Sequence, residues 1–142
     1  MNELERARAC AARMYAEDKA SQALGIEIEI PEPGTAVAKM KVRQDMVNGF
    51  DICHGGLIFT LADTAFAFAC NAYDDVTVAG AASIDFLRPA FLDDELQAVA
   101  LEEHRGQRGG VYAVEVVNQN REFVALFRGR SISRGQAMLE TG

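Results

Sequence analysis

The sequence lacks paired cysteines, an excess of positive charge and any apolar run long enough to cross a bilayer, and each absence removes a class of function. Its three cysteines, Cys10, Cys53 and Cys70, are odd in number, far apart and without a C-x-x-C pair. Neither a zinc ribbon nor a redox motif is written there, and a reducing compartment is the simpler reading. Lys plus Arg number 14 against 21 Asp plus Glu, a formal charge of -7. A field of that sign repels polyanions, so no nucleic acid is expected as a partner. A small anionic ligand stays open, because a few arginines and backbone amides bind phosphate locally whatever the net charge. The longest apolar run, residues 55–70, carries Asp63 near its middle and falls short of the roughly 20 residues a membrane span needs. The amino terminus, MNELERARACAARMYAEDKA, mixes charge through its first turns and offers no signal-peptide core. The expectation is a soluble, cytoplasmic protein with no membrane partner, folded as one domain over residues 1–142.

What is present is a clear order of elements. Leu4, Ala7, Ala11, Met14 and Tyr15 recur at helical spacing, which predicts an amphipathic amino-terminal helix over residues 1–20, its core periodicity running from residue 3. IEIEI at 26–30 and TAVAKMKV at 35–42 alternate strictly and read as a hairpin with a longer loop, closed by Pro31 and Pro33-Gly34. LIFTLADTAFAFACNAY is apolar nearly all round, the pattern of a buried helix. Four strand-length runs follow: AGAASIDFLRP, ELQAVALEEHR, GVYAVEVVN and REFVALFRGRSIS. VNQNRE suits a tight turn and GQRGG a more open one. Four consecutive strands without helices between them mean an antiparallel sheet, so the fold class is α+β, with six strands curled around one helix.

Asn48, His54, Gly55, Gly56 and Asp63 crowd into one short segment, and each residue type suits acyl transfer. Amides at a helix amino terminus have no intrahelical partner, so Gly55 and Gly56 can meet a developing oxyanion. Gly56 and Asp63 are seven positions apart, two turns of helix, on one face and about 10 Å from each other. That is too far to serve one atom on one chain. A second copy across a two-fold axis brings Asp63 of one chain against Gly55 of the other, which predicts a homodimer at least. Asp63 also has a structural reading, as acceptor for a helix restarting at DTAF. His54 reads equally as a satisfied structural residue or as a substrate-positioning one. A metal site from Cys53, His54 and Asp63 is not expected, because adjacent side chains seldom converge on one ion. His104 reads as a solvated strand end, and Thr64 and Ser83 as buried hydroxyls.

The segment NGFDICHGGLIFTLADTAFAFACN, with its H-G-G-x6-D spacing, and the runs SIDFLRPA and VALFRGRS resemble hotdog-fold acyl-CoA thioesterases of the phenylacetate-degradation (PaaI-like) branch. The resemblance spans about residues 20 to 134. It implies a six-stranded antiparallel sheet wrapped around a central helix, with two subunits joined edge to edge and a homotetramer common in the branch. Carried over, it implies Asp63 as nucleophile or general base and the Gly55 N–H as oxyanion donor. Asn48 and His54 match positions lining the acyl site, and Thr64 matches a position commonly polar. Some relatives carry a hydroxyl early in the strand after the helix, where this chain has Ala79-Gly80-Ala81-Ala82; Ser83 is not counted as catalytic.

The implied substrate is an acyl-CoA, aryl-acetyl or a hydroxylated form of it, with no metal and no cofactor beyond the coenzyme A of the substrate. Gly56 is expected to approach the substrate. Phe50, Phe59 and Phe66 are either core residues or an aromatic-friendly wall. Arg88, Arg105, Arg108, Arg128 and Arg130 are candidate phosphate ligands or solvated surface. Two alternatives stand beside hydrolysis: an enoyl-CoA hydratase or dehydratase of the same fold, using His54 with Asp63, and a non-catalytic acyl-CoA-binding protein.

Overall fold

A computed structural model describes residues 1–139, so the last three of the expected 1–142 domain lie outside the described residues. The elements run α1 (Glu3–Glu17), α2 (Lys19–Ala23), β1 (Glu27–Glu32), β2 (Thr35–Lys41), α3 (Gly55–Cys70), β3 (Thr77–Phe86), β4 (Glu95–Arg105), β5 (Gly110–Val117) and β6 (Phe123–Ser133). All six strands form one sheet in the order β1-β2-β4-β5-β6-β3, antiparallel at every pairing. The α+β hotdog arrangement expected from the sequence is present, with α3 packed across one face of the sheet.

Alternation explains how one helix covers that face. Leu96, Ala98 and Ala100 of β4, Tyr112, Val114 and Val116 of β5, and Ala125 and Phe127 of β6 all turn inward and are buried, as period-2 strands require. From α3 come Leu61, Ala62, Ala65, Phe66 and Ala69, also buried. Phe66 sits between Tyr112 and Phe127, with ring centroids 5.6 and 5.8 Å away. It fits because Gly129 lies beneath it: a Cβ on Gly129 would stand 2.8 Å from the Phe66 ring. At the far end of α3, Glu102 Oε1 accepts from Tyr73 at 2.8 Å and Tyr112 at 2.7 Å, tying the helix exit to the sheet.

Several boundaries differ from the sequence reading, for local reasons. The first helix stops at Glu17, because Asp18 leaves helical dihedrals and its carboxylate caps α2 by accepting from Ser21 N at 3.0 Å. β1 runs through Pro31 to Glu32 with a register shift, tolerated because β1 is an edge strand. The β1–β2 connection is the Pro33-Gly34 pair alone, with Gly34 at φ 84°, so no longer loop exists. The two later turns exchange character: 106–109 is the shorter link, and 118–122 is the longer. Asn118 knits that longer loop, its Oδ1 accepting from Asn120 N and Glu122 N.

The two sheet edges are unlike each other. β1 carries Glu27, Glu29, Pro31 and Glu32 and lies beside α1, from which Arg8 donates to Ile30 O at 3.2 Å and Tyr15 to Ile26 O at 2.6 Å. Charge, proline and a covering helix all blunt an edge. On β3, residues 78–83 are VAGAAS and exposed, with no charge and no proline among them.

Candidate active site

The segment before α3 is held by its own backbone. Cys53 N donates to Ala90 O at 2.8 Å and His54 N to Met46 O at 2.8 Å. Asn48 Oδ1 accepts from Phe50 N at 2.9 Å and Ile52 N at 3.3 Å, folding NGFDI into an Asx-type turn in which Asp51 takes φ 60°. Asn48 itself is exposed. His54 is the N-cap of α3, and its Nδ1 accepts from Gly56 N at 3.0 Å. A ring accepting at Nδ1 is the tautomer that carries its proton on Nε2.

The helix start therefore has one open donor. Gly56 N is engaged by the His54 side chain and Leu57 N by His54 O at 2.9 Å. Gly55 N finds no acceptor among the described residues. Residue types alone left both glycine amides available, while the family resemblance named that of Gly55; the structure engages Gly56 N and leaves Gly55 N open. Against Gly55 lies the ring of Phe86, the last residue of β3, 3.3 Å from where a Cβ on Gly55 would be.

Asp63 is not stranded in the core. Gly56, Phe59, Thr60, Asp63 and Ala67 form a partly or wholly exposed stripe of α3, Gly55 and Leu57 of the first turn being also partly exposed; the stripe is the i, i+3, i+4, i+7 set of one helical face. α3 is continuous through Asp63, so no helix restarts at DTAF and the carboxylate caps nothing. Burial alone pushes the Asp63 carboxyl above the usual carboxylate range, with no donor or cation to offset it. A half-buried carboxylate without partners is costly unless another molecule supplies them.

The remaining expected residues separate into those at the surface and those in the core. Phe50 is 84% exposed. Phe59 packs edge-on to Phe127 at 5.3 Å, and Phe66 is buried, so neither forms an open wall within this chain. Thr64 is buried, its hydroxyl donating to Thr60 O at 2.7 Å. Ser83 is exposed rather than buried; Ile84 packs on the core and Phe86 on Gly55, so alternation turns Ser83 to the opposite side of β3. His104 is exposed near the end of β4. Of the arginines, Arg88 pairs with Glu122 at 2.6 Å and Arg128 with Glu103 at 2.5 Å. Arg105 lies over the Tyr73 ring at 3.6 Å. Arg108 and Arg130 are exposed. The reading from sequence missed Phe86 at the helix start, although the parity of Ile84 and Phe86 in SIDFLRP was the signal for it. Among the described residues no helix is long and apolar enough to cross a membrane, and no three His, Cys, Asp or Glu side chains cluster as a metal site would need.

Known proteins share this sequence and fold. The chain is 52% identical over 118 residues to the acyl-coenzyme A thioesterase PaaI of Escherichia coli, covering 83% of this chain and 84% of that protein. Its fold matches the solved structure of the E. coli PaaI protein from the phenylacetic acid degradation operon with a TM-score of 0.93 at 47% identity, over 96% of this chain and 99% of that one. A hypothetical thioesterase protein from Streptococcus pneumoniae, solved with coenzyme A, matches with a TM-score of 0.78 at 28% identity, over 83% of this chain and 93% of that one. Residues 50–125, from the Asn48 turn through α3 to β6, match the thioesterase superfamily. The chain thus belongs to the thioesterase superfamily and is a hotdog-fold thioester hydrolase.

Proposed function

We propose that this enzyme hydrolyses aryl-acetyl-CoA esters, phenylacetyl-CoA or its hydroxylated forms, to the free acid and CoA, at sites that two copies of the chain complete together. The observation that carries this reading is the pairing of an open Gly55 amide with an unpartnered Asp63 on a single helix, too far apart to act on one carbonyl. The names of the E. coli relatives and the coenzyme A in the streptococcal one support the substrate class.

The chemistry follows from those two groups. Asp63 takes a proton from water, whose oxygen bonds to the thioester carbonyl carbon, or its own carboxylate oxygen bonds to that carbon; the C=O π pair moves onto the carbonyl oxygen, which is met by the Gly55 N–H at the positive end of α3. Collapse of the tetrahedral species breaks the C–S bond, and the departing thiolate takes the proton that Asp63 removed from water or, in the nucleophilic route, one from solvent water. In the nucleophilic route a mixed anhydride on Asp63 is then hydrolysed by water. His54 fixes the helix start, and Asn48 fixes the loop leading to it. Neither metal nor resident cofactor enters these steps.

The open β3 edge is the proposed dimer seam. An edge without charge or proline over residues 78–83 exposes unpaired amides and carbonyls that invite another strand, and a two-fold axis there extends the sheet while turning the stripe of Asp63 toward the partner's helix start. A dimer of such dimers gives the tetramer, in the cytoplasm. The hydratase alternative needs a free imidazole beside a carboxylate, whereas Nδ1 of His54 is occupied by Gly56 N. A thiol-release screen over aromatic and aliphatic acyl-CoA esters tests the reading. Release from phenylacetyl-CoA above the aliphatic esters is expected; binding without release, or hydration of an enoyl-CoA instead, contradicts it.

A further inference from the structure

Phe86 is an apolar ring held beside the one open amide of the site. It shares the parity of Ile84, which packs on the core, so it faces α3 rather than the outer side of the sheet. Three of its ring atoms lie 3.3, 3.5 and 3.8 Å from the position a Cβ on Gly55 would take. Despite facing inward, Phe86 is 53% exposed. Exposed aromatic area costs free energy in water and is kept where a second apolar group covers it.

We infer that Phe86 is the wall against which the aryl group of the substrate packs, and hence a specificity-determining residue for the aromatic acyl chain. The inference rests on the aryl-acetyl reading above. A thioester oxygen bonded to the Gly55 N–H puts the acyl carbon next to Gly55, and the group one methylene away then meets the ring that lies on Gly55. Aromatic rings gain from offset or edge contact at centroid separations of roughly 4.5–7 Å, beyond what area alone gives; a linear alkyl chain gains the area term only. The contact also accounts for glycine at position 55, because a side chain there would press on the ring.

The test compares kcat/KM for phenylacetyl-CoA with that for hexanoyl-CoA in the parent, Phe86→Leu, Phe86→Tyr and Phe123→Ala. Leucine keeps the apolar volume, so the fold survives and circular dichroism confirms it. Phe86→Leu is expected to lower the aromatic-to-aliphatic ratio about three- to tenfold, with hexanoyl-CoA turnover retained. Phe86→Tyr restores the ratio. Phe123→Ala, on β6 and exposed, leaves it unchanged. A parent enzyme that favours phenylacetyl-CoA together with an unaltered ratio in Phe86→Leu overturns the inference alone. A parent that cleaves hexanoyl-CoA but not phenylacetyl-CoA overturns the aryl-acetyl reading, and the inference with it.

Discussion

Nδ1 of His54 accepts the amide proton of Gly56 at 3.0 Å, and this one bond decides which amide at the start of α3 stays available. With Gly56 engaged, Gly55 is left facing outward from the positive end of a sixteen-residue helix. The imidazole therefore acts as a helix cap. His54→Ala removes the acceptor and is expected to cost about 1 kcal/mol of stability, read as a lower denaturant midpoint at unchanged slope. His54→Asn, which keeps an acceptor at the cap, recovers most of that loss.

Asp63→Asn is expected to separate activity from stability. Turnover falls about a hundredfold or more if the proposed general base or nucleophile is the group removed. The fold persists, and at neutral pH the variant is at least as stable as the parent, since burial raises the Asp63 pKa with nothing to offset it. The sign follows from proton linkage. A carboxyl whose folded pKa is raised binds protons more tightly when folded, so its ionisation destabilises the fold as pH rises from the usual carboxylate value through the raised one. The stability advantage of Asp63→Asn accordingly grows across that window and is flat above it. Activity of the parent moves the other way, falling as acid protonates Asp63, with an acid limb above the ordinary carboxylate range.

Gly129→Ala addresses the core that supports the site. Its Cβ would stand 2.8 to 2.9 Å from Phe66 ring atoms, and Phe66 is buried between Tyr112 and Phe127. A loss of about 1–3 kcal/mol is expected from overpacking, measured by thermal or denaturant unfolding.

The thiols are predicted to be inert. Cys10, Cys53 and Cys70 are free and buried, and burial pushes Cys53 to about 11 and Cys70 to about 12, with Cys10 also raised. All three remain protonated near neutrality, so an aromatic disulfide reagent should react with none of them until denaturant is added, and alkylating agents should leave turnover intact.

The elements were legible in the sequence wherever periodicity carried the information. α3 showed itself by an apolar run wider than one stripe, and β4, β5 and β6 by alternation that the buried sets 96-98-100, 112-114-116 and 125-127 reproduce. Turn lengths were not legible, because Asn118 closes a five-residue loop through side-chain bonds that residue type does not announce. At the site, the shared face of Gly56 and Asp63 followed from helical geometry. The choice between the Gly55 and Gly56 amides did not follow from helical geometry and came only through the family resemblance, since it depends on the rotamer of His54. The contact of Phe86 with Gly55 joins the end of β3 to the start of α3, positions that only the folded sheet brings together.

The claim that each site is built from two chains has a direct test. Asp63→Asn and Gly55→Val are each made inactive, then mixed and allowed to exchange subunits. A mixed dimer holds one site with both Asp63 and Gly55 intact and one with neither. Random pairing makes half the dimers mixed, so activity should recover to about a quarter of the parent level. No recovery, with exchange confirmed by mass spectrometry, would contradict the shared site.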